Sequence, residues 1–351
     1  FHQMRIATEE IIPGEGVTEV RMLSDYFPDL AGTAGDTQIY VLQGEQEGGS
    51  CLILGGTHAN ELGGHMGAVL FVENAKVEAG TLYVIPRTNN SAFTHNDPQE
   101  GHPSTVHITT DEGNVREFIH GSRATNPVDQ WPDPDVYVNY MGQSLSGSEN
   151  RNINRTYPGK ADGTLTEMMS YGIVQLINTE NIDVTVDLHE ASPEYPVINA
   201  LIAHERAMNL ASNVVVDMQM EGVQISLEPS PTDLRGLTHR ELGDHTDTLA
   251  LLMEAPNPAQ GRLRDRTDEA LVLTGKSETY VKAGEIGQLY VPYDENGWPI
   301  EVRCARHVFG IERILANYSE MYEEPIIVTG MPSYDELVKN GMGPYLNEPT
   351  T

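Results

Sequence analysis

The segment "CLILGGTHANELGGHMGAVLFVENAK" (residues 51–76) predicts a strand, a sharp turn and a helix in succession. Its first apolar run ends at two glycines, which is typical of a buried strand that stops at a tight turn. Apolar residues then recur at helical spacing and predict a helix over about residues 62–76. His58 and Glu61 therefore leave the strand end together, next to the first turn of the helix.

His58 and Glu61 lie three positions apart, so the imidazole and the carboxylate can face the same point. Mixed nitrogen and oxygen ligands of this kind suit a zinc ion. The pair alone is weak evidence, because a chain with 12 histidines and 52 acidic residues contains such spacings by chance. A solvated turn is the alternative interpretation of the pair, so other parts of the chain must decide between the two.

The composition is that of a globular protein with a strong negative charge. Hydrophobic residues make up 39% and charged residues 21% of the 351 residues, and no apolar run approaches the length of a membrane span. The net charge of -31 argues against nucleic acid and acidic membranes as partners, because no basic stripe is present to bind phosphates. Cys51 and Cys304 lack the spacing of a metal or redox pair. We expect a soluble protein, cytoplasmic or exported after signal cleavage, and the sequence leaves its compartment open.

The rest of the chain alternates between predicted strands and helices. The segment "QIYVLQGEQEGGSCLILGG" (38–56) predicts two strands joined as a hairpin, and "GTLTEMMSYGIVQLINTE" (163–180) predicts a helix with a capping box of Thr164 and Glu167. The alternation predicts an α/β fold: a mixed, mostly parallel twisted sheet with helices on both faces. We expect a single domain over residues 1–351, with core motifs at 50–255, a long loop insertion at 89–150 and a helical C-terminal extension at 260–351.

Chemically capable side chains follow three of the predicted strands. "CLILGG" leads to His58 and Glu61, "IDVTVDL" leads to His189, and "TLALLM" leads to Glu254. In open α/β sheets the functional groups collect beyond the carboxyl ends of the strands, so we expect these side chains to lie close together. Two imidazoles, one carboxylate ligand and one free carboxylate are the parts of a hydrolytic zinc site.

Four sequence blocks together resemble one known family. "GGTHANELGG", "NINRTYPG", "VDLHEA" and "LLMEAP" resemble, in order and approximate spacing, blocks of the succinylglutamate desuccinylase and aspartoacylase group of the zinc carboxypeptidase superfamily. The resemblance implies a zinc carboxypeptidase-like fold and one bound Zn²⁺. It also implies the roles of the site residues: His58, Glu61 and His189 as zinc ligands, Glu254 as general base, and Asn154 and Arg155 as the pair that grips a substrate carboxylate.

The sequence departs from this family pattern in three ways. The family carries an aspartate two residues before its Asn-Arg pair, where it orients a metal-bound histidine, whereas this chain has Asn152. An amide oxygen still accepts a hydrogen bond from an imidazole, and Asp187 is a substitute candidate for this role. The family also has an arginine that polarises the scissile carbonyl; Arg87 is the nearest candidate, and Arg151, beside the substrate-binding pair, is its competitor. Residues 260–351 are more helical than the β-rich tail of the aspartoacylase branch.

These observations predict a zinc-dependent amide hydrolase that recognises a substrate with a free carboxylate. The metal loop favours an N-acyl amino acid deacylase, whereas the absent tail domain and the long insertion keep a metallocarboxypeptidase acting on peptide C-termini as the alternative. A metal- or ligand-binding module without catalysis is the third interpretation. Glu254 argues against such a module, since a buried carboxylate with no metal or water to bind is costly. The expected partner is a small-molecule or peptide substrate, and the sequence leaves homo-oligomerisation open.

Overall fold

The computed structural model describes residues 9–96 and 102–349, which form a central β-sheet with helices packed on both faces. Alternate apolar side chains of the sheet belong to two separate cores, one on each face. The predicted α/β class is thus confirmed. The described strands are β1 (Glu19–Met22), β2 (Gln38–Gln43), β3 (Gln46–Leu54), β4 (Lys76–Ile85), β5 (Thr105–Thr109), β6 (Val115–Ile119), β7 (Val136–Val138), β8 (Ser144–Ser146), β9 (Val184–Ala191), β10 (Ala200–Ala203), β11 (Ser226–Pro229), β12 (Leu249–Pro256) and β13 (Ile327–Thr329).

The helices alternate with the strands along the chain and cover both faces of the sheet. They are α1 (Leu62–Asn74), α2 (Leu165–Glu180), α3 (Met208–Met220), α4 (Thr238–His245), α5 (Glu269–Thr274), α6 (Glu278–Glu285), α7 (Ile300–Tyr322) and α8 (Tyr334–Asn340). The helices α1, α3 and α7 pack together in the core of one face, and α2 packs against the opposite face. None of the helices within residues 9–96 and 102–349 has the length and apolar character that crossing a bilayer requires.

Two helix predictions agree with the structure. The helix expected from residue 62 is α1, which ends at Asn74, slightly earlier than expected. The predicted capping box is present at the start of α2, where the Thr164 side chain accepts from the Glu167 backbone N–H and the Glu167 carboxylate accepts from the Thr164 N–H. Both helices depend on local signals, which is why the sequence alone indicates them.

The predicted hairpin between β2 and β3 is wrong. β4 lies between these strands, antiparallel to β2 and parallel to β3. The sheet order is β1-β2-β4-β3-β9-β12-β10-β11, with β13 added beside β4. Even the connecting turn packs on β4, where the Gly44 N–H donates to the Gly80 carbonyl over 2.9 Å. Apolar alternation indicates a strand but does not identify its neighbour, and α1 here provides the crossover that a parallel pair requires.

The insertion at residues 89–150 is more regular than expected. It contains two antiparallel hairpins, β5–β6 and β7–β8, while residues 97–101 lie outside the described part of the chain. The Asn139 side-chain amide, just after β7, donates to the Arg235 carbonyl over 3.1 Å and so ties the second hairpin to the loop before α4. The C-terminal extension is largely helical, as predicted, and contributes the short strand β13.

Parallel pairing brings the chemically capable strand ends together. β3 pairs with β9, and β9 pairs with β12, all in the same direction. In this register Glu254 lies opposite His189, and Leu54, shortly before His58, lies opposite Asp187. The carboxyl ends of three adjacent strands therefore form the edge where the site is built.

Candidate metal centre and active site

Three buried side chains converge at this edge: His58, Glu61 and His189. Glu61 Oε1 lies 2.7 Å from His58 Nδ1, and Glu61 Oε2 lies 2.9 Å from His189 Nδ1. The imidazole rings meet edge to face with centroids 4.7 Å apart, and the candidate ligand atoms all lie within 4.8 Å of one another. Two imidazole nitrogens and a carboxylate oxygen around one space are the donor set of catalytic zinc sites, so these residues fit that metal.

The outer nitrogen of each histidine is held by a different group. His58 Nε2 lies 2.9 Å from Asn152 Oδ1, and His189 Nε2 lies 2.8 Å from Asp187 Oδ2. The Asn152 amide nitrogen donates to Glu149 over 2.8 Å, which orients the amide oxygen toward His58. Both contacts leave the Nδ1 atoms facing the common space, as histidine ligands require. Asn152 thus contacts the histidine of the metal loop, while Asp187 contacts the histidine of its own strand.

Burial and neighbouring charges set the protonation of the cluster. Burial, the larger cause, and the positive charge of the Arg123 guanidinium together lower the pKa of His58 to about 4. Burial alone would raise the pKa of Glu61, but the two histidines hold this pKa well below its ordinary value. For His189, burial is outweighed by the carboxylates of Asp187 and Glu61, which raise the pKa well above its ordinary value. A neutral His58 and an ionised Glu61 are the forms that bind a metal ion.

Glu254 lies beside the cluster on β12, in register with His189. Its Oε2 atom is buried, and within the described residues it has no hydrogen-bond partner. Burial raises the pKa of Glu254 to about 8, against the opposing charge of His189. A buried carboxylate oxygen without a protein partner is energetically costly. Its position beside the cluster is therefore suited to a group that binds water or substrate.

A cavity of about 400 Å³ opens beside the cluster. Its polar lining includes Glu61, His189 and Glu254, together with Arg123 and Arg155. Its lining also includes the apolar side chains of Val197, Ile202, Leu234, Leu237 and Leu252. The cavity therefore joins the candidate metal ligands, two cations and an apolar surface in a space large enough for a small molecule or the end of a peptide.

Asn154 and Arg155, the predicted substrate-binding pair, both line this cavity. Asn154 Oδ1 accepts from the Thr238 N–H over 2.8 Å and from the Thr238 hydroxyl over 3.0 Å, so the amide nitrogen remains as its donor. The Arg155 side chain is held by a hydrogen bond from its Nη1 to the Asn154 carbonyl over 2.6 Å, and its Nε lies 3.7 Å from Glu149. Both side chains thus offer N–H groups to a ligand in the cavity.

The structure does not bring Arg87 or Arg151 into this cavity. The Arg87 guanidinium lies over the Phe93 ring, 4.6 Å from its centroid, and lines a different cavity. Arg87 follows β4, which lies between β2 and β3 in the sheet. Arg151 makes a two-bond ion pair with Asp133 at 2.7 and 2.9 Å and donates to the Thr125 carbonyl. The expectation that one of these two arginines contacts the substrate is therefore inconsistent with the geometry.

Arg123 occupies the place that the sequence analysis gave to those two residues. Its Nη1 lies 3.1 Å from Glu61 Oε1 and 3.3 Å from His58 Nδ1. The loop that carries it is fixed to the metal loop, because the Gly121 N–H donates to the Ala59 carbonyl over 3.0 Å and the Ala59 N–H to the Ser122 carbonyl over 2.9 Å. Gly121 permits this approach, since a Cβ there would lie 2.6 Å from the Ala59 Cβ. No local motif marks Arg123, which is one of two arginines, with Arg116, in the sequence of the insertion.

Comparisons with known proteins gave matches among solved structures. No protein-family model and no curated protein matches this chain. One similar structure is a succinylglutamate desuccinylase from Silicibacter sp. TM1040, with 17% identity, a TM-score of 0.40, and a match covering 64% of this chain and 55% of that one. The chain therefore spans about half the length of that protein.

Two other similar structures cover more of this chain. One is a metallo-carboxypeptidase from Burkholderia cenocepacia, with 12% identity, a TM-score of 0.49, and coverage of 87% of this chain and 66% of that one. The other is the apo cell shape determinant protein Csd4 from Helicobacter pylori, with 13% identity, a TM-score of 0.48, and coverage of 86% and 58%. The structures similar to this chain thus include a member of the group that the sequence blocks resemble and a metallo-carboxypeptidase.

Proposed function

We propose that this protein is a zinc-dependent hydrolase that cleaves an amide bond in a substrate with a free carboxylate. One observation supports this most: two members of a buried donor set of two imidazoles and a carboxylate, Glu61 and His189, line the same cavity as Glu254, whose Oε2 has no partner within the described residues. His58, Glu61 and His189 would hold one zinc ion. Zinc in such a site supplies positive charge that polarises a carbonyl and makes water more acidic.

Glu254 would act as the general base. Its carboxylate lies on a strand rather than on a loop, so its distance from His189 is fixed by the register of β9 and β12. In the proposed reaction Glu254 takes a proton from the attacking water and passes it to the leaving nitrogen. Arg123 would stabilise the negative charge that develops on the carbonyl oxygen, because its guanidinium lies at the cluster.

Asn154 and Arg155 would hold the substrate carboxylate. A guanidinium offers two parallel N–H groups that match the two oxygens of a carboxylate, and the Asn154 amide nitrogen adds a donor beside it. Binding at this pair would place the scissile amide near Glu254 and the candidate metal ligands Glu61 and His189, since these residues line the same cavity as the pair.

The preferred substrate class is an N-acyl amino acid, because the sequence around His58 and Glu61 resembles the metal loop of deacylases. A metallocarboxypeptidase acting on peptide C-termini is the second candidate. It is supported by the contribution of the 89–150 insertion, which supplies Arg123 to the cavity. Both reactions would use the same residues, so only substrate tests separate them. A binding module without catalysis is the third interpretation, and it predicts bound metal without hydrolysis.

The test couples metal analysis to activity. The purified protein is assayed for bound zinc and screened against N-acyl amino acids, peptides with free C-termini and the same peptides with amidated C-termini. We expect about one zinc per chain and hydrolysis of one carboxylate-bearing class. The Glu254→Gln variant should bind zinc but lose about 10²- to 10⁴-fold in kcat. Glu320→Gln, which replaces an exposed glutamate on α7, is the matched control.

Three results would contradict the proposal. Full activity of the Glu254→Gln variant would show that Glu254 is not the general base. Hydrolysis of amidated and free peptides at equal rates would remove the carboxylate requirement. Bound zinc without hydrolysis of any substrate would favour the binding module.

A further inference from the structure

Glu228 is a carboxylate in the cavity that the proposed reaction does not use. It lies on β11, lines the cavity and is half-buried. Within the described residues its side chain makes no hydrogen bond or ion pair. Glu190, another carboxylate of the lining, is instead fully engaged by Arg303 at 2.9 Å and by the Asn257 amide at 2.8 Å. Glu228 therefore brings an unpaired negative charge to the cavity wall.

The sheet register locates Glu228 relative to Glu254. Glu228 is paired with Ile202 on β10, and Ile202 is paired with Leu252 on β12. Glu254 lies two residues beyond Leu252 on the same face of its strand. The two glutamates are thus separated by two strand spacings, about 10 Å, and by two residues along the strands.

The surface between the two glutamates is apolar. Ile202, Leu252 and Ala200 form a small buried cluster, with Val197 packed against it. Long basic side chains are suited to such a surface, because their methylene groups cover apolar atoms while the charged end reaches a polar group. An uncharged side chain in the same position would leave Glu228 facing an apolar group, which is unfavourable.

We propose that the part of the substrate that carries the carboxylate also carries a side chain with a positive end, an amine or a guanidinium, and that Glu228 binds it. This inference rests on the proposed function, since Asn154 and Arg155 must hold the carboxylate. The cations of the cavity leave Glu228 unpaired: Arg123 contacts Glu61, and Arg155 lies nearest Glu149. The net charge of -31 acts in the same direction, because it repels a purely anionic ligand more than one with a compensating cation.

Binding of free amino acids tests this inference without requiring hydrolysis. Racemic lysine and racemic norleucine have similar chain lengths, differ by the terminal ammonium group and require no assumption about handedness. Calorimetric titration of the zinc-loaded protein should give a Kd for lysine about tenfold lower than for norleucine. In Glu228→Gln this preference should disappear, and in the Glu320→Gln control it should persist. Glu228→Lys should weaken lysine binding further and favour racemic glutamate.

The possible failures are distinguishable from those of the proposed function. Norleucine binding as tightly as lysine, a lysine preference that survives in Glu228→Gln, or no binding of either amino acid would each overturn the inference. If a substrate ending in norleucine is hydrolysed as efficiently as one ending in lysine, the hydrolase proposal stands and the role of Glu228 fails. A Glu228-dependent preference for lysine without hydrolysis of any substrate would support the cation site and contradict the hydrolase.

Discussion

The candidate site is assembled from two unlike regions of the molecule. The strands β9 and β12 supply Asp187 and His189, which are buried, and Glu254, which lies in register with His189. Loops supply the two cavity cations: the Arg123 side chain is 42% exposed and that of Arg155 is 20% exposed. The proposed general base and the candidate metal ligand His189 thus lie on the rigid sheet, whereas the ligands His58 and Glu61 and the two arginines extend from loops. Such a division permits the loop-borne arginines to adjust to a ligand while the distance between His189 and Glu254 stays constant.

The largest expected effect in the loop region comes from Arg123. Replacing Arg123 with Ala should lower kcat by about 10²-fold, because a cation next to the developing negative charge is lost. Guanidinium chloride at low concentration should restore part of the activity, which steady-state kinetics would detect. Arg266→Ala, at an exposed position, is the matched control. An unchanged kcat in the Arg123 variant would show that the Arg123 guanidinium does not stabilise the developing charge.

The residues that contact the outer nitrogens of His189 and His58 give a second contrast. Asp187 lies on a strand, whereas Asn152 lies in a loop. Asp187→Asn should weaken zinc binding by about 10- to 100-fold, because the His189 ring loses a charged partner. Asn152→Asp should have the opposite sign and tighten zinc binding, since a carboxylate raises the basicity of His58 more than an amide does. Competition with a chromophoric chelator measures both affinities. Equal affinities in all three proteins would mean that neither contact tunes the metal.

Arg155 tests whether the loop region recognises a carboxylate through geometry or through charge alone. Arg155→Lys keeps the positive charge but loses the planar pair of N–H groups. We expect KM to rise about tenfold with little change in kcat, because the lost contact is present in both substrate and transition state. The same assay with an amidated substrate should show no difference between wild type and variant. A fall in kcat at constant KM would place Arg155 in the chemical step instead.

Glu312 on α7 offers a partly buried carboxylate outside the site for comparison with Glu254. Burial raises the pKa of Glu312 to about 7, so the folded protein binds this proton more tightly than the unfolded chain does. Its contribution to stability is present below about pH 4.5 and is lost as the pH rises toward 7. Glu312→Gln should therefore stabilise the protein at pH 8 by about 1 kcal/mol, allowing for partial solvent exposure, and leave kcat unchanged. Urea unfolding at pH 5 and pH 8 measures the difference, which should be small at pH 5.

A stabilisation of the Glu312→Gln variant that is equal at both pH values would contradict this titration. A drop in kcat would show that Glu312 affects the reaction in the cavity, whereas we expect it to affect stability alone.

The two regions also differ in how far the sequence predicts them. The position of His189 and Glu254 at strand ends followed from short apolar runs, and the turn before α1 from its glycines, because these signals are local. The sequence is a weaker guide to which strands are neighbours in the sheet. β4 separates β2 from β3, and no property of the connecting turn indicates this. Pairing depends on the whole sheet, so the hairpin prediction failed.

The loop-borne groups were hidden for the same physical reason. Arg123 reaches the cluster through backbone hydrogen bonds between residues distant in the chain, and Arg151 is drawn away by Asp133. The role that we propose for Glu228 depends on the register of β11 and β10, which places this residue at the cavity. In each case a long-range contact, and not the residue type, determines the role that is available.

Metal stoichiometry in a pair of variants tests the central claim most directly. Elemental analysis of the purified protein after exposure to zinc should give about one ion per chain, with essentially none retained in His189→Ala. His245→Ala, which replaces a partly exposed histidine at the end of α4, should retain the ion as wild type does. If the wild-type protein binds no divalent metal, or if His189→Ala binds it equally well, then His58, Glu61 and His189 are not the metal centre of this protein.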